Sequence, residues 1–109
     1  MERTNSLYTV IIPSYNTLDH LKNTYKSLKK YAPTAKIIII DDASEDGTSN
    51  WLKSLDDNLL NSIISKTRKG HTYWYDEGIR QSSTDIVSIL HSDMIIGPGY
   101  FENLLKHVE

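Results

Sequence analysis

Hydrophobic residues along this chain gather in short dense runs separated by polar stretches. The first run is Tyr8 to Ile12 (YTVII), stopped by Pro13, and the second is Ile37 to Ile40 (IIII), stopped by Asp41 and Asp42. A weaker run spans Ser62 to Ser65, and a fourth, Ile86 to Leu90 (IVSIL), ends at His91. Each has the length of a strand and is rich in β-branched side chains. Three of the four do not alternate with polar residues, which predicts strands covered on both faces, as in a parallel sheet.

Between these runs the spacing becomes helical. Leu18, Leu21, Tyr25 and Leu28 share one face, with Asn16 or Thr17 as the predicted cap and Pro33 beyond the end. Thr48 is the predicted cap of a second helix carrying Trp51, Leu52 and Leu55. A third is expected from about Thr72 to Ser82. A fourth follows Pro98 and Gly99, with Tyr100, Phe101, Leu104, Leu105 and Val108 facing inward. The order β-α-β-α-β-α-β-α predicts an α/β fold: a mostly parallel sheet, helices on both faces and right-handed crossovers, with residues 1–109 forming a single domain.

Composition narrows the class. Twelve Lys and Arg against fourteen Asp and Glu leave a net charge of −2, without the basic face that nucleic-acid binding requires. Cysteine is absent, which excludes disulfides and thiolate metal sites. No apolar run approaches the roughly 18 residues of a transmembrane helix. The opening MERTNS is too polar for a signal peptide. These features lead to the expectation of a soluble, cytoplasmic domain.

In a sheet of this kind ligands bind outside the carboxyl ends of the strands, so the residues after each run are the candidates for chemistry. They are Pro13-Ser14-Tyr15-Asn16, Asp41 to Thr48 (DDASEDGT), Lys66 to His71 (KTRKGH) and His91-Ser92-Asp93. The first turn lacks the glycines of a dinucleotide or P-loop cradle. A divalent cation held by carboxylate is the alternative way to neutralise a bound diphosphate. An isolated Asp-Asp pair more often just ends a strand; within DDASEDGT a binding role is the better reading. Lys66, Arg68 and Lys69 read as a solvated charge run. Tyr73, Trp74 and Tyr75 could form a stacking platform, although helical spacing places at least one of them in the core.

Four blocks then carry a family resemblance: VIIPSYN (Val10 to Asn16), IIIIDDASEDGT (Ile37 to Thr48), Gly70 to Ile79, and ILHSDMIIGPGYFENLL (Ile89 to Leu105). In this order they resemble the N-terminal, donor-binding half of a family 2 glycosyltransferase with the Rossmann-like GT-A fold. The resemblance implies that Pro13, Ser14 and Tyr15 line a nucleotide pocket. Asp42, with Asp41, would bind base or ribose hydroxyls, and Gly70 and Ser92 would lie against the nucleotide-sugar. Asp93 matches the last acid of the family's D-x-D element and would hold Mn²⁺ or Mg²⁺, with His91 as a second candidate ligand in place of the first acid. Tyr75 and Asp76 stand where the family often has Arg and Asn.

The implied activity is transfer of a sugar from a UDP- or GDP-sugar to an acceptor hydroxyl, inverting and metal-dependent, with this chain supplying the donor site. The general base is expected in an acceptor half that the chain does not include. The alternative is a catalytically silent nucleotide-binding or self-assembly module that forms a homo-oligomer through an uncovered sheet edge. A receiver-like phosphoacceptor domain fits poorly, because its acid pair follows the first strand. A nucleotidyltransferase lacks its glycine-rich signature here.

Overall fold

The structure, a computed structural model, describes residues 8–84 and 86–92. Strands β1 (Tyr8–Ser14), β2 (Lys36–Asp42), β3 (Leu60–Ser65) and β4 (Ile86–Ile89) alternate with helices α1 (Leu18–Tyr31), α2 (Thr48–Ser54) and α3 (His71–Gln81). The helix expected after Pro98 lies outside the described residues. All pairings are parallel, in the order β3-β2-β1-β4.

The unbroken isoleucine run has a simple cause. Ile37 and Ile39 point into one layer with Val10, Ile12, Leu21, Leu28 and Leu52, so α1 and α2 cover that face. Ile38 and Ile40 point the other way, into a layer with Ile11 and Trp74 of α3. A strand buried on both sides has no polar position to alternate with.

Pro13 does not stop β1 as expected; the strand runs through it to Ser14. Successive residues of a strand direct their backbone groups to opposite neighbours. The Ile11 carbonyl accepts from Leu90 N on the β4 side, so Pro13, two residues on, also faces β4. The β4 ladder ends at the Ile11–Ile89 pair, so the missing N–H of Pro13 breaks no ladder bond.

The chain builds outward from β1 to β2 and β3, then returns across to place β4 on the other side of β1. This reversal is a topological switch point, and it opens a crevice at the carboxyl ends of β1 and β4. The return helix packs closely. A Cβ added to Gly78 of α3 would sit 2.7 Å from Ile11 Cγ2 and 2.9 Å from its Cδ1. Ile11 is fully buried in the central strand and has no room to retreat.

Gly78→Ala is therefore expected to destabilise the chain by about 1–3 kcal/mol through overpacking, more than the roughly 1 kcal/mol that better helix propensity returns. Urea unfolding reads this as a lowered midpoint at constant slope; an unchanged or raised midpoint contradicts the close approach.

Candidate functional site

The loops after β1 and β2 are hydrogen-bonded into one unit. Asn16 takes a left-handed conformation (φ 52°), a backbone state that Asn tolerates better than most residues. Its N–H donates to Ser44 Oγ at 2.9 Å, and its Oδ1 accepts from Glu45 N at 2.8 Å. Asp46 then serves both helices. Its Oδ2 accepts from Leu18 N at the start of α1 (2.9 Å), and its Oδ1 accepts from Thr48 N at the start of α2 (3.2 Å) and from Thr48 Oγ1. Thr17 is the N-cap residue of α1, as expected, but its side chain makes no cap hydrogen bond, and Gly47, not Thr48, is the N-cap residue of α2. The cap expected from local sequence is delivered by a carboxylate on a neighbouring loop, where the helix dipole favours negative charge. An open cleft beside it is lined by Asn16, Thr17, Leu18, Asp19, His20 and Asp46.

The two aspartates that end β2 serve different purposes because they face opposite layers. Asp41 is buried on the α1–α2 side, where its Oδ1 accepts from Ser44 N at 2.9 Å and shapes the turn in which Ala43 has a positive φ of 64°. Asp42 is buried on the α3 side and gathers the β3–α3 loop. Its Oδ1 accepts from Lys69 N (2.8 Å) and the Trp74 indole N–H (2.9 Å). Its Oδ2 accepts from Gly70 N (2.9 Å) and Arg68 Nε (3.2 Å). Burial by itself would raise the Asp42 carboxyl, but these hydrogen bonds and the Arg68 charge outweigh it and hold the group below the ordinary aspartate range. Gly70 (φ 89°) gives the loop the backbone conformation that brings its amide to the carboxylate.

Arg68 in turn lies over the Tyr15 ring, 3.7 Å from guanidinium carbon to ring centroid, so it joins the end of β1 to the end of β2. It does not belong to a free solvated run. Trp74 is the core member of the aromatic triplet, with Tyr73 exposed and edge-on to it. At the switch point, Ser92 is buried. Its Oγ is 2.7 Å from Thr17 Oγ1, which is 3.1 Å from Ser14 Oγ, and its carbonyl accepts from Thr24 Oγ1 at 2.8 Å.

Of the predicted site residues, Tyr15, Asp42 and Gly70 thus meet around Arg68, while Ser14 and Ser92 meet through Thr17. Pro13 is buried between the two groups, His91 is exposed, and Asp93 lies outside the described residues. Among the described residues no three His, Asp or Glu side chains are grouped to hold a metal, and no helix is long and apolar enough to cross a membrane.

Sequence comparison decides the family. The profile of glycosyl transferase family 2 matches residues 9–109. The chain belongs to glycosyl transferase family 2. Among curated members, it is 28% identical over 103 residues to an undecaprenyl-phosphate mannosyltransferase of Micrococcus luteus, covering 90% of this chain and 42% of that protein. It is 34% identical over 105 residues to the uncharacterized glycosyltransferase YfnE of Bacillus subtilis, covering 93% of this chain and 26% of the relative. The family 2 chain therefore spans less than half the length of these relatives.

Among solved structures, a Pyrobaculum calidifontis mannosyltransferase in complex with GDP-Man and Mn²⁺ superposes with a TM-score of 0.80 at 22% identity, covering 94% of this chain and 32% of that one. Staphylococcus aureus TarS 1–349 also gives 0.80, at 20% identity over 93% of this chain and 32% of its own. These likenesses establish the Rossmann-like GT-A architecture.

Asn16, Ser44, Asp46 and Arg68 lie in the loops that the sequence marks as candidates, but local pattern gives Ser44, Asp46 and Arg68 no role of their own, and Asn16 and Thr17 only that of a cap. Asp46, two residues before Thr48 at a helix start, carried a capping signal. Nothing local distinguished Arg68 from its cationic neighbours.

Removing either acid tests the interlock. Asp42→Ala strands the Trp74 indole and two backbone amides and is expected to cost at least about 2 kcal/mol, since each buried donor left unpaired costs about 1–3 kcal/mol. Asp46→Ala, the loss of a shared cap, should cost about 1 kcal/mol. Urea unfolding separates the two, and equal small losses would contradict the assigned roles.

The carboxyls of Asp42, Asp46 and Asp57 all titrate below their ordinary range in the folded chain. In each, burial works upward and is outweighed by hydrogen bonds, with Tyr25, Leu59 and Lys29 as the partners of Asp57. Their stabilisation is complete above the unfolded value near about 4 and is lost as pH falls through it toward the lower folded values. Denaturation midpoints measured from pH 7 down to pH 3 should therefore fall on the acid side, and a flat profile contradicts the assignment.

Proposed function

We propose that this chain supplies the donor site of a glycosyltransferase that moves a sugar from a nucleoside-diphosphate sugar to an acceptor hydroxyl with inversion. One observation carries the reading. The loops after β1, β2 and β3, all at the carboxyl edge, are locked together by Asp42, Asp46 and Arg68 beside the β1–β4 switch point. A pre-ordered polar rim of this kind loses little entropy on binding a flexible dinucleotide-like donor. The family membership and the mannosyltransferase neighbour, whose structure holds GDP-Man and Mn²⁺, support the same ligand class.

In this reading the nucleoside lies at the β2 end, against Tyr15 and the β3–α3 loop. The diphosphate lies toward the β4 end, beside Ser92. Pro13 and Ser14 form the floor. The described side chains do not build a metal centre of their own. Asp93, outside the described residues, is the carboxylate that would hold Mg²⁺ or Mn²⁺, since such an ion can bind through a single carboxylate plus substrate oxygens, and the ion would supply charge neutralisation for the departing diphosphate. The chain's own residues hold the base and exclude water from its stacking surface. The general base is assigned to the acceptor half of a longer polypeptide.

The rival reading, a silent self-assembly module, predicts no metal-dependent nucleotide affinity. Titration calorimetry with UDP and GDP, with and without Mn²⁺ or Mg²⁺, separates the two. Binding that strengthens at least about tenfold with the cation, and loses that gain in Asp93→Ala, is expected. Equal affinity with and without metal, or a concentration-dependent dimer in sedimentation that binds no nucleotide, overturns the donor-site proposal.

A further inference from the structure

We infer that the outer face of α1, extended by α2, docks this protein on an anionic lipid bilayer through Lys22, Lys26, Lys30 and Lys53. The surface lies on the α1–α2 layer, and the inference does not depend on the donor-site reading.

The two helical layers of the sheet differ in sign. Helices α1 and α2 carry five lysines and one acid, Asp19. Helix α3 carries Arg80 against Asp76 and Glu77. From His20 to Ile40 the chain has five lysines and no acid, in a protein whose net charge is −2. Such a separation of charge orients a molecule in the field of a charged surface.

Helix geometry gathers these lysines. At the ordinary helical turn, Lys22, Lys26, Lys29 and Lys30 fall within one arc of about 100°. Leu21, Thr24, Ser27 and Leu28 are buried on the opposite side. Lys29 is tied to Asp57 at 3.1 Å. Among the described residues Lys22, Lys26 and Lys30 pair with no carboxylate. Lys26 has lysines at i−4, i+3 and i+4, a spacing at which like charges oppose the helix. The helix dipole accounts for Lys29 and Lys30 in the last turn, but it fades before Lys22 and Lys26.

Helix α2 meets α1 through the edge-on contact of Trp51 with Tyr25, 5.6 Å between centroids, and adds exposed Lys53 to the same layer. At the end of α1, Tyr31 is exposed, with Lys30 Nζ 5.2 Å from its ring centroid. A tyrosine suits the polar boundary of a bilayer.

Shape and charge select the occupant. The crest of α1 is convex, and its exposed positions Asn23, Lys26 and Lys30 are polar. It lacks the apolar anchors that hold a peptide in a groove. The negative charge of the whole chain weighs against nucleic acid. A bilayer of mobile anionic headgroups needs no fitted cavity, and each lysine near it strengthens binding about fivefold. Docked this way, α3 points away from the lipid.

The test is co-sedimentation of the full chain with vesicles of phosphatidylcholine, alone or with about 30% phosphatidylglycerol. At about 50 mM salt the anionic vesicles should bind at least about tenfold more tightly, and the gain should vanish at about 500 mM, where charges are screened. Lys26→Gln should weaken binding about fivefold. The triple variant Lys22→Gln, Lys26→Gln, Lys30→Gln should lose the gain, with an unfolding midpoint no lower than wild type because like-charge repulsion is removed. Arg80→Gln, on the α3 layer, should keep it.

Equal binding to both vesicles, a gain that survives in the triple variant, or an equal loss in Arg80→Gln overturns the docking surface. Soluble poly-glutamate that binds the same lysines as tightly as the anionic vesicles do overturns the bilayer as its occupant.

Discussion

The carboxylate of Asp42 is the contact on which the order of this sheet edge depends. It is fully buried, at the end of a strand flanked on both sides, and it meets donors from three kinds of group: backbone amides, an indole and a guanidinium. A buried charge without partners would be ejected or protonated. Here the partners come from residues 26 to 32 positions further along the chain, so the charge is stable only if the β3–α3 loop closes over it. Burial and loop geometry therefore require each other, and the β3–α3 loop at the carboxyl edge inherits the rigidity of the core.

The same logic operates at Asp46 with lower burial. One acid satisfies the open amides of two helices, and so fixes the angle at which both leave the sheet edge. It also occupies the positive end of α1 with protein charge, which removes that helix start as an anion cradle. The absence of glycine in the first βα turn fits this arrangement, because no phosphate has to approach the backbone there.

The opposite sheet edge is tied by neutral groups and a lysine instead of buried acids. A cleft there is lined by Lys36, Asn58, Asn61, Gln81 and Ser83 at the amino ends of the strands, and its polar groups pair between segments, as in Lys36 Nζ to Ser83 Oγ at 2.9 Å. Nearby, Asp57 accepts from Tyr25 and pairs with Lys29, which fastens α1 to the loop before β3. Burial, with the hydrogen bond to Asp57 and its charge, raises the Tyr25 phenol, so the pair is a structural clasp that stays intact at neutral pH.

Element type and order were legible in the residues. Four apolar runs of strand length and three helical stretches predicted β1 to β4 and α1 to α3 within a few residues, because both periods follow directly from which faces must avoid water. The family blocks marked Tyr15, Asp42 and Gly70 as neighbours in function. Sequence by itself could not reveal which way the second of two adjacent aspartates points, that Pro13 sits where its missing N–H is harmless, that Asp46 caps a helix lying before it in the chain, or that Arg68 leaves its charge run to lie on Tyr15. Each of these depends on the register and order of strands distant in sequence, and local preference carries no information about partners that only the folded sheet brings within hydrogen-bonding distance.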